Sequence, residues 1–283
     1  MKNAPGRLVT RHVHVALGLH LQYRQAGDAD APRLVLLHPS PRSSAMFEPW
    51  MGALAANFRV LAVDTPGYGG SDPLPVPPTQ LADYLPPLRA LLHSVAGPRF
   101  ALYGSATGAQ LAIAYANTEP QQVAHLLLDN AAHFDDEERA HLLAHYFPDL
   151  TLRSDGCHLA TAWQMCAQMT EYFPWFEADE AHRIAPSPAP AAAVHAALQE
   201  LLAAGPRYAD AYRAAFEHER AAHVQALTVP TSLLRWRGSI LLRHIDRLLQ
   251  FSLPHNIRVV DVPAPMEERY ATMTAHLLAL NAS

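Results

Sequence analysis

The stretch YGSATGAQLAIAYA, residues 103–116, has the outline of a catalytic turn. Read as glycine, any residue, nucleophile, any residue, glycine, it runs Gly104, Ser105, Ala106, Thr107, Gly108. The apolar run FALY (100–103) leads into it as a buried strand would, and an alanine-rich run of helical character follows. The tip of the turn is Ala106, a methyl group that can attack nothing. Such a turn without a reactive atom is the question the rest of the chain has to answer.

Outward from this turn the same alternation repeats. RLVLLH (33–38), RVLAVD (59–64) and VAHLLLD (123–129) read as buried strands, as do TVPTSLLRW (228–236) and IRVVDV (257–262). Helical patterns at 45–58, 80–95, 109–117, from Ile240 and from Pro265 separate them, and HVHVAL and LHLQYRQ flank Gly18 as an opening hairpin. Strands alternating with helices predict a mostly parallel sheet covered on both faces. Residues 133–225 break the rhythm, with helical periodicity, no strand candidate and an APSPAPAAA interruption at 185–193. The expectation is an eight-stranded α/β core from 1–132 and 226–283, with 133–225 inserted as a helical lid.

Bulk properties narrow the function classes. The 283 residues are 50% apolar and 17% charged, enough to bury a substantial core. A net charge of −5 and a pI near 6.4, with no Lys/Arg run, argue against nucleic acid as a partner. No apolar stretch has the length of a membrane span or the place of a signal peptide, so a cytoplasmic protein is expected. Cys157 and Cys166 fall nine apart in one helical pattern, poor geometry for a disulfide.

Four motifs in order resemble the α/β-hydrolase superfamily over nearly the whole chain. LVLLHPSPRSS stands where those proteins have a strand and a His-Gly-x-Pro turn, and VDTPGYGGSDP resembles their D-x-x-G-x-G-x-S turn. YGSATGAQLA resembles the strand, elbow and helix around the nucleophile, and VPTSLLRW their seventh strand. The triad that this resemblance implies is absent position by position. Ala106 holds the nucleophile position, Ser239 lies at or near the acid position, and Ala264-Pro265 replaces the Gly-His pair, with no histidine in the ten residues that follow. Nucleophile, base and acid act as a unit, so this is a divergent subgroup lacking the Ser-His-Asp triad. The lid text D-G-x-H-L and the P-R-S turn resemble a subgroup in which a histidine would stand at the elbow tip, so Ala106 is read as replacing it by design or by drift.

The resemblance also implies an oxyanion site from the backbone N–H groups of Thr107 and Ser40, at the N-terminus of the elbow helix. Arg42 is placed to reach a substrate carboxylate, or else is a surface arginine. His158, after Asp155-Gly156, is the lid residue chosen as general acid or base, against a purely structural lid histidine. Asp129 would orient a histidine such as His158 or His133, or cap a turn. Trp163 and Trp175, with Tyr172, Phe173 and Phe176, are candidate pocket walls or ordinary lid packing. Ser105 adjoins the tip as a binding residue and not the nucleophile. Glu138, His141 and His145 share a helix face at metal-ligand spacing but equally form a solvated amphipathic helix, so no metal and no cofactor is expected.

Three functions fit. The chain is a lyase, isomerase or cyclase using the retained oxyanion site, or a hydrolase inactivated at Ala106, or a non-catalytic binder. In each the partner is a small molecule, aromatic or carboxylate-bearing, with a homodimer through the lid or sheet edge as a further expectation.

Overall fold

A computed structural model of the protein describes residues 9–281. The first eight residues of the expected core and the last two lie outside the described residues. Eight strands form one sheet: β1 Thr10–Ala16, β2 Leu19–Ala26, β3 Arg33–Leu37, β4 Arg59–Val63, β5 Phe100–Ser105, β6 Val123–Asp129, β7 Thr231–Trp236 and β8 Ile257–Val262. Their order is β1-β2-β4-β3-β5-β6-β7-β8, with β1 and β2 antiparallel, β2 and β4 antiparallel, and every later pairing parallel. The mostly parallel sheet with helices on both faces is thus the fold the sequence implied.

The central strands are apolar on both sides because both sides are covered. Val35, Leu37, Leu61, Val63 and Leu102 face a cluster closed by α2 (Leu85–Val95) and α3 (Thr107–Thr118). Leu34, Leu36, Val60, Ala62 and Tyr103 face the opposite cluster, closed by α1 (Glu48–Leu54) and the last helix, α10 (Met266–Asn281). The helix expected over 80–95 opens as a 3₁₀ turn at Leu81–Tyr84, because Pro86 and Pro87 suit the first turn of an α-helix and not its interior.

Between β6 and β7 the chain forms α4 (Asp136–His145), α5 (Cys157–Gln168), α6 (Ala191–Ala204), α7 (Asp210–His218) and α8 (Ala221–Gln225). A third apolar cluster holds them, centred on Phe134, Tyr146, Met165, Phe173, Tyr208 and Phe216. Residues 169–190 are largely non-helical, with one isolated bridge from Tyr172 to Arg183, although helical periodicity was read through most of that stretch. Pro174, Pro186, Pro188 and Pro190 each lack the N–H an α-helix needs, and Phe173 N–H instead donates to His182 O at 2.9 Å. After β7, α9 (Leu242–Leu248) precedes β8. Among the described residues no helix is long and apolar enough to cross a membrane.

Candidate functional site

The elbow forms because two glycines let backbones meet. A Cβ on Gly108 would lie 2.2 Å from Leu37 O, and one on Gly104 would lie 2.2 Å from Gly108 O. Strand β5 and helix α3 therefore cross in direct contact, and the residue between them is pushed outward. That residue, Ala106, has φ +47° and ψ −113°, a conformation an L side chain rarely adopts. Its N–H donates to Asp129 O at 3.0 Å, which ties the tip to the end of β6.

Above the tip lies a cavity of about 290 Å³. Ser40, Ser105, Ala106 and Thr107 form its floor, and Met46, Met169, Phe173, Tyr212, Phe216, Trp236, Ile240 and Leu241 supply an apolar wall. Among the described residues the backbone N–H groups of Ser40 and Thr107 have no acceptor. The Thr107 group is also at the first position of α3, where unpaired N–H groups and the helix dipole favour negative charge.

Besides the Tyr212 phenol, a carboxyl and a guanidinium line the cavity, Glu219 and Arg269. Glu219 directly follows α7 and is 3% exposed, and its Oε2 has no hydrogen-bond partner. Burial pushes its carboxyl up to about 8, against the pull of the Arg139 charge, so it holds its proton at neutral pH. Arg139 donates from Nη2 to the Glu219 backbone O at 3.1 Å, fixing the chain there and leaving the carboxyl free.

Arg269, on the second turn of α10, is 8% exposed. Its Nη2 donates to Asp129 Oδ2, which also accepts from Tyr103 OH at 2.6 Å. The guanidinium carbon lies 4.0 Å from the Trp236 ring centroid. Ser239, at the expected acid position, donates to Asn130 Oδ1 at 2.5 Å, and Asn130 Nδ2 donates to Ser105 Oγ at 3.2 Å. Trp236 Nε1 donates to Ala264 O at 3.0 Å, which anchors the loop between β8 and α10.

The sequence-derived site is partly assembled here. Ser40, Ser105, Ala106 and Thr107 come together. Asp129 lies behind the cavity but orients Arg269 and not a histidine, because His133 Nδ1 is engaged by Ala221 N–H at 3.2 Å. His158 does not descend onto the elbow; its Nδ1 accepts from Arg153 N–H at 3.3 Å within its own turn. Arg42 is turned away by Glu200, its Nε 2.6 Å from Glu200 Oε2. Trp163 is 40% exposed on α5, and Trp175 packs in the insertion, donating from Nε1 to Tyr146 O at 2.9 Å. Of the other aromatic candidates only Phe173 lines the cavity.

Glu138 is drawn from the suggested metal face into an ion cluster, with His244 Nε2 at 2.7 Å and Arg247 Nη1 at 2.6 Å. His141 pairs with Glu177 at 2.7 Å, and among the described residues no group of three His, Cys, Asp or Glu is arranged to hold a metal ion. His38 is buried and structural: Thr65 N–H donates to its Nε2 at 3.0 Å. Sequence reading missed Arg269 and Glu219. The first carried a signal, a cationic side chain in MEERY just past the missing histidine. The second sits in EHER, a run that looks like any solvated helix end.

Comparison with known proteins agrees with this fold. The model of the alpha/beta hydrolase family matches residues 34–277. Epoxide hydrolase 3 of Xenopus tropicalis is 31% identical over 121 residues, which are 41% of this chain and 32% of that protein. A haloalkane dehalogenase of Mycobacterium marinum is 43% identical over 67 residues, covering 23% and 21% of the two chains. The chain thus spans well under half the length of these curated relatives. The solved structure of epoxide hydrolase A from Mycobacterium thermoresistibile superposes with a TM-score of 0.71 at 18% identity, over 96% of this chain and 98% of that one.

Proposed function

As the chain belongs to the alpha/beta hydrolase family, we propose that it is an enzyme of that fold whose elbow cavity performs proton transfer on a small carbonyl compound, as a lyase, isomerase or cyclase does, with no covalent intermediate. One observation carries this reading. The unpartnered carboxyl of Glu219 lines the same cavity as the free N–H groups of Ser40 and Thr107, over a tip that bears only a methyl group.

The chemistry follows from what those groups can do. The two N–H groups hold the substrate carbonyl oxygen. The ionised form of Glu219 removes a proton from the carbon beside that carbonyl, the C–H electron pair moves into the C–C bond, and the carbonyl oxygen becomes an oxyanion. The donors and the positive end of α3 stabilise it, an effect worth about 10²–10³ in rate for each such donor. Glu219, now protonated, returns the proton at another carbon or releases a leaving group, which closes the balance. A general acid–base group of this kind contributes about 10²–10⁴. Because the first step needs the carboxylate, kcat/KM should rise with pH towards a plateau above about 8.

The test is exchange of carbon-bound hydrogen for deuterium, followed by proton NMR, on a panel of 2-oxo acids and 1,3-dicarbonyl compounds. Exchange is expected with the wild type and about 100-fold less with Glu219→Gln. Equal exchange by both proteins would refute the reading. A second reading, a hydrolase silenced at its tip, is favoured by the strained φ of +47° kept at Ala106, where an inert residue needs no such strain. Ala106→His and Ala106→Ser test it: turnover of epoxides, haloalkanes or esters gained by either variant would support it.

A further inference from the structure

Resting on that reading, we propose that the substrate is a carboxylate as well as a carbonyl compound, and that Arg269 is the residue that receives its carboxylate. The expected class is a small oxo acid with an apolar or aromatic body.

The Arg269 side chain is 10% exposed and lines the cavity, yet the bonding of its guanidinium is incomplete. Nη2 is taken by Asp129 Oδ2, Nη1 has only the weak thioether acceptor Met266 Sδ at 3.5 Å, and Nε has no partner. Buried donors left unmade are costly; Asp129 takes one Nη2 hydrogen, so one edge of the planar fork stays open, and a carboxylate accepts two parallel bonds from such an edge. Trp236 beneath the guanidinium, 4.0 Å from its carbon, fixes the plane of the fork before any ligand arrives.

Charge favours the same assignment. The other titratable side chains lining the cavity are Tyr212 and Glu219, and burial keeps both protonated at neutral pH. The charges a ligand meets are therefore Arg269 and the N-terminus of α3. Asp129 opposes an incoming anion, but it stands behind the guanidinium. Attraction at contact distance outweighs repulsion from a charge farther off, since both fall with separation. The other wall residues are largely apolar or aromatic, including Phe173, Phe216 and Trp236, and 290 Å³ is at the small end of ligand cavities. One cavity thus offers a fork for the carboxylate, paired N–H groups for the carbonyl oxygen, and an apolar surface for the remainder.

The experiment compares 3-phenylpropanoate with its neutral isostere 3-phenylpropanamide by titration calorimetry at neutral pH and low salt. The wild type should bind the carboxylate at least 10-fold more tightly. Arg269→Gln alone leaves Asp129 buried without its partner, so the double variant Arg269→Gln/Asp129→Asn, which removes both charges, is the informative one; its fold is checked by circular dichroism. It should bind both compounds equally, while Glu219→Gln keeps the preference. Equal binding of acid and amide by the wild type, or a preference retained in the double variant, overturns the carboxylate subsite and leaves the proton-transfer reading standing. Binding of neither compound to the wild type overturns both.

Discussion

Replacing Glu219 by glutamine should change how stability depends on pH, by an amount set by the site. Burial moves the carboxyl from its ordinary 4.5 to about 8. Across that span the unfolded chain has lost the proton while the folded chain still holds it. The wild type therefore loses stability as pH rises from 4.5 to 8, at about 1.36 kcal/mol per pH unit. The whole interval is worth about 5 kcal/mol, a large share of the usual stability of a domain. Histidines act in the opposite sense. His218 is held down to about 3 and His125 to about 4, each by burial first and by a neighbouring histidine second, so each loses stability as pH falls below 6.5. The raw curve mixes these contributions, and subtracting the variant from the wild type isolates Glu219. Urea unfolding between pH 5 and 9 should show Glu219→Gln gaining on the wild type by about 1.4 kcal/mol per pH unit up to pH 8, then levelling. A difference that stays constant over this range would mean that Glu219 titrates as an ordinary carboxylate, and the acid–base role would lose its basis.

Further outcomes follow from the same geometry. Gly108→Ala drives a Cβ to 2.2 Å from Leu37 O, backbone against backbone, and should cost more than about 4 kcal/mol by urea unfolding. Asp129→Asn leaves Arg269 buried beside no counter-charge and should cost about 3–5 kcal/mol, less when Arg269→Gln is added. Ala106→Val places a β-branched side chain at φ +47° and should cost about 1–3 kcal/mol. Nitrophenyl acetate should be hydrolysed at the rate of an inert protein surface, and a fluorophosphonate should leave no adduct on Ser105 by mass spectrometry, because the Ser105 hydroxyl already accepts from Asn130 and the tip carries no nucleophile.

The fold was legible because the signals that specify it are local. A parallel strand buried on both faces must be apolar throughout, so RVLAV and VAHLLLD declare themselves, and Gly104 and Gly108 declare the elbow because nothing larger fits. The backbone half of the site was legible for the same reason. The side-chain half was not, because it depends on which distant elements meet. His158 and Glu219 are both titratable residues between β6 and β7, and only the packing of α7 beside α3 puts the second over the elbow and leaves the first in its own turn. Asp129 was recognised at the end of β6, but its partner lies 140 residues away in α10, beyond any spacing rule. Arg42 failed for the converse reason: local sequence put it beside the turn, and Glu200 from α6 drew it off.

The pairing of Asp129 with Arg269 also bears on the order in which the protein is made. Synthesis completes β6 long before α10, so the end of that strand carries the Asp129 carboxylate before Arg269, its ion-pair partner, has left the ribosome. Until then the adjacent strand end and elbow cannot close dry around Asp129. When α10 docks it brings Arg269, which is at once the counter-charge of Asp129, the stacking partner of Trp236 and a lining side chain of the cavity. The last helix thus completes the site: a nascent chain halted before residue 266 would hold nearly the whole sheet, yet Asp129 at the end of β6 would lack Arg269 and could not be buried dry.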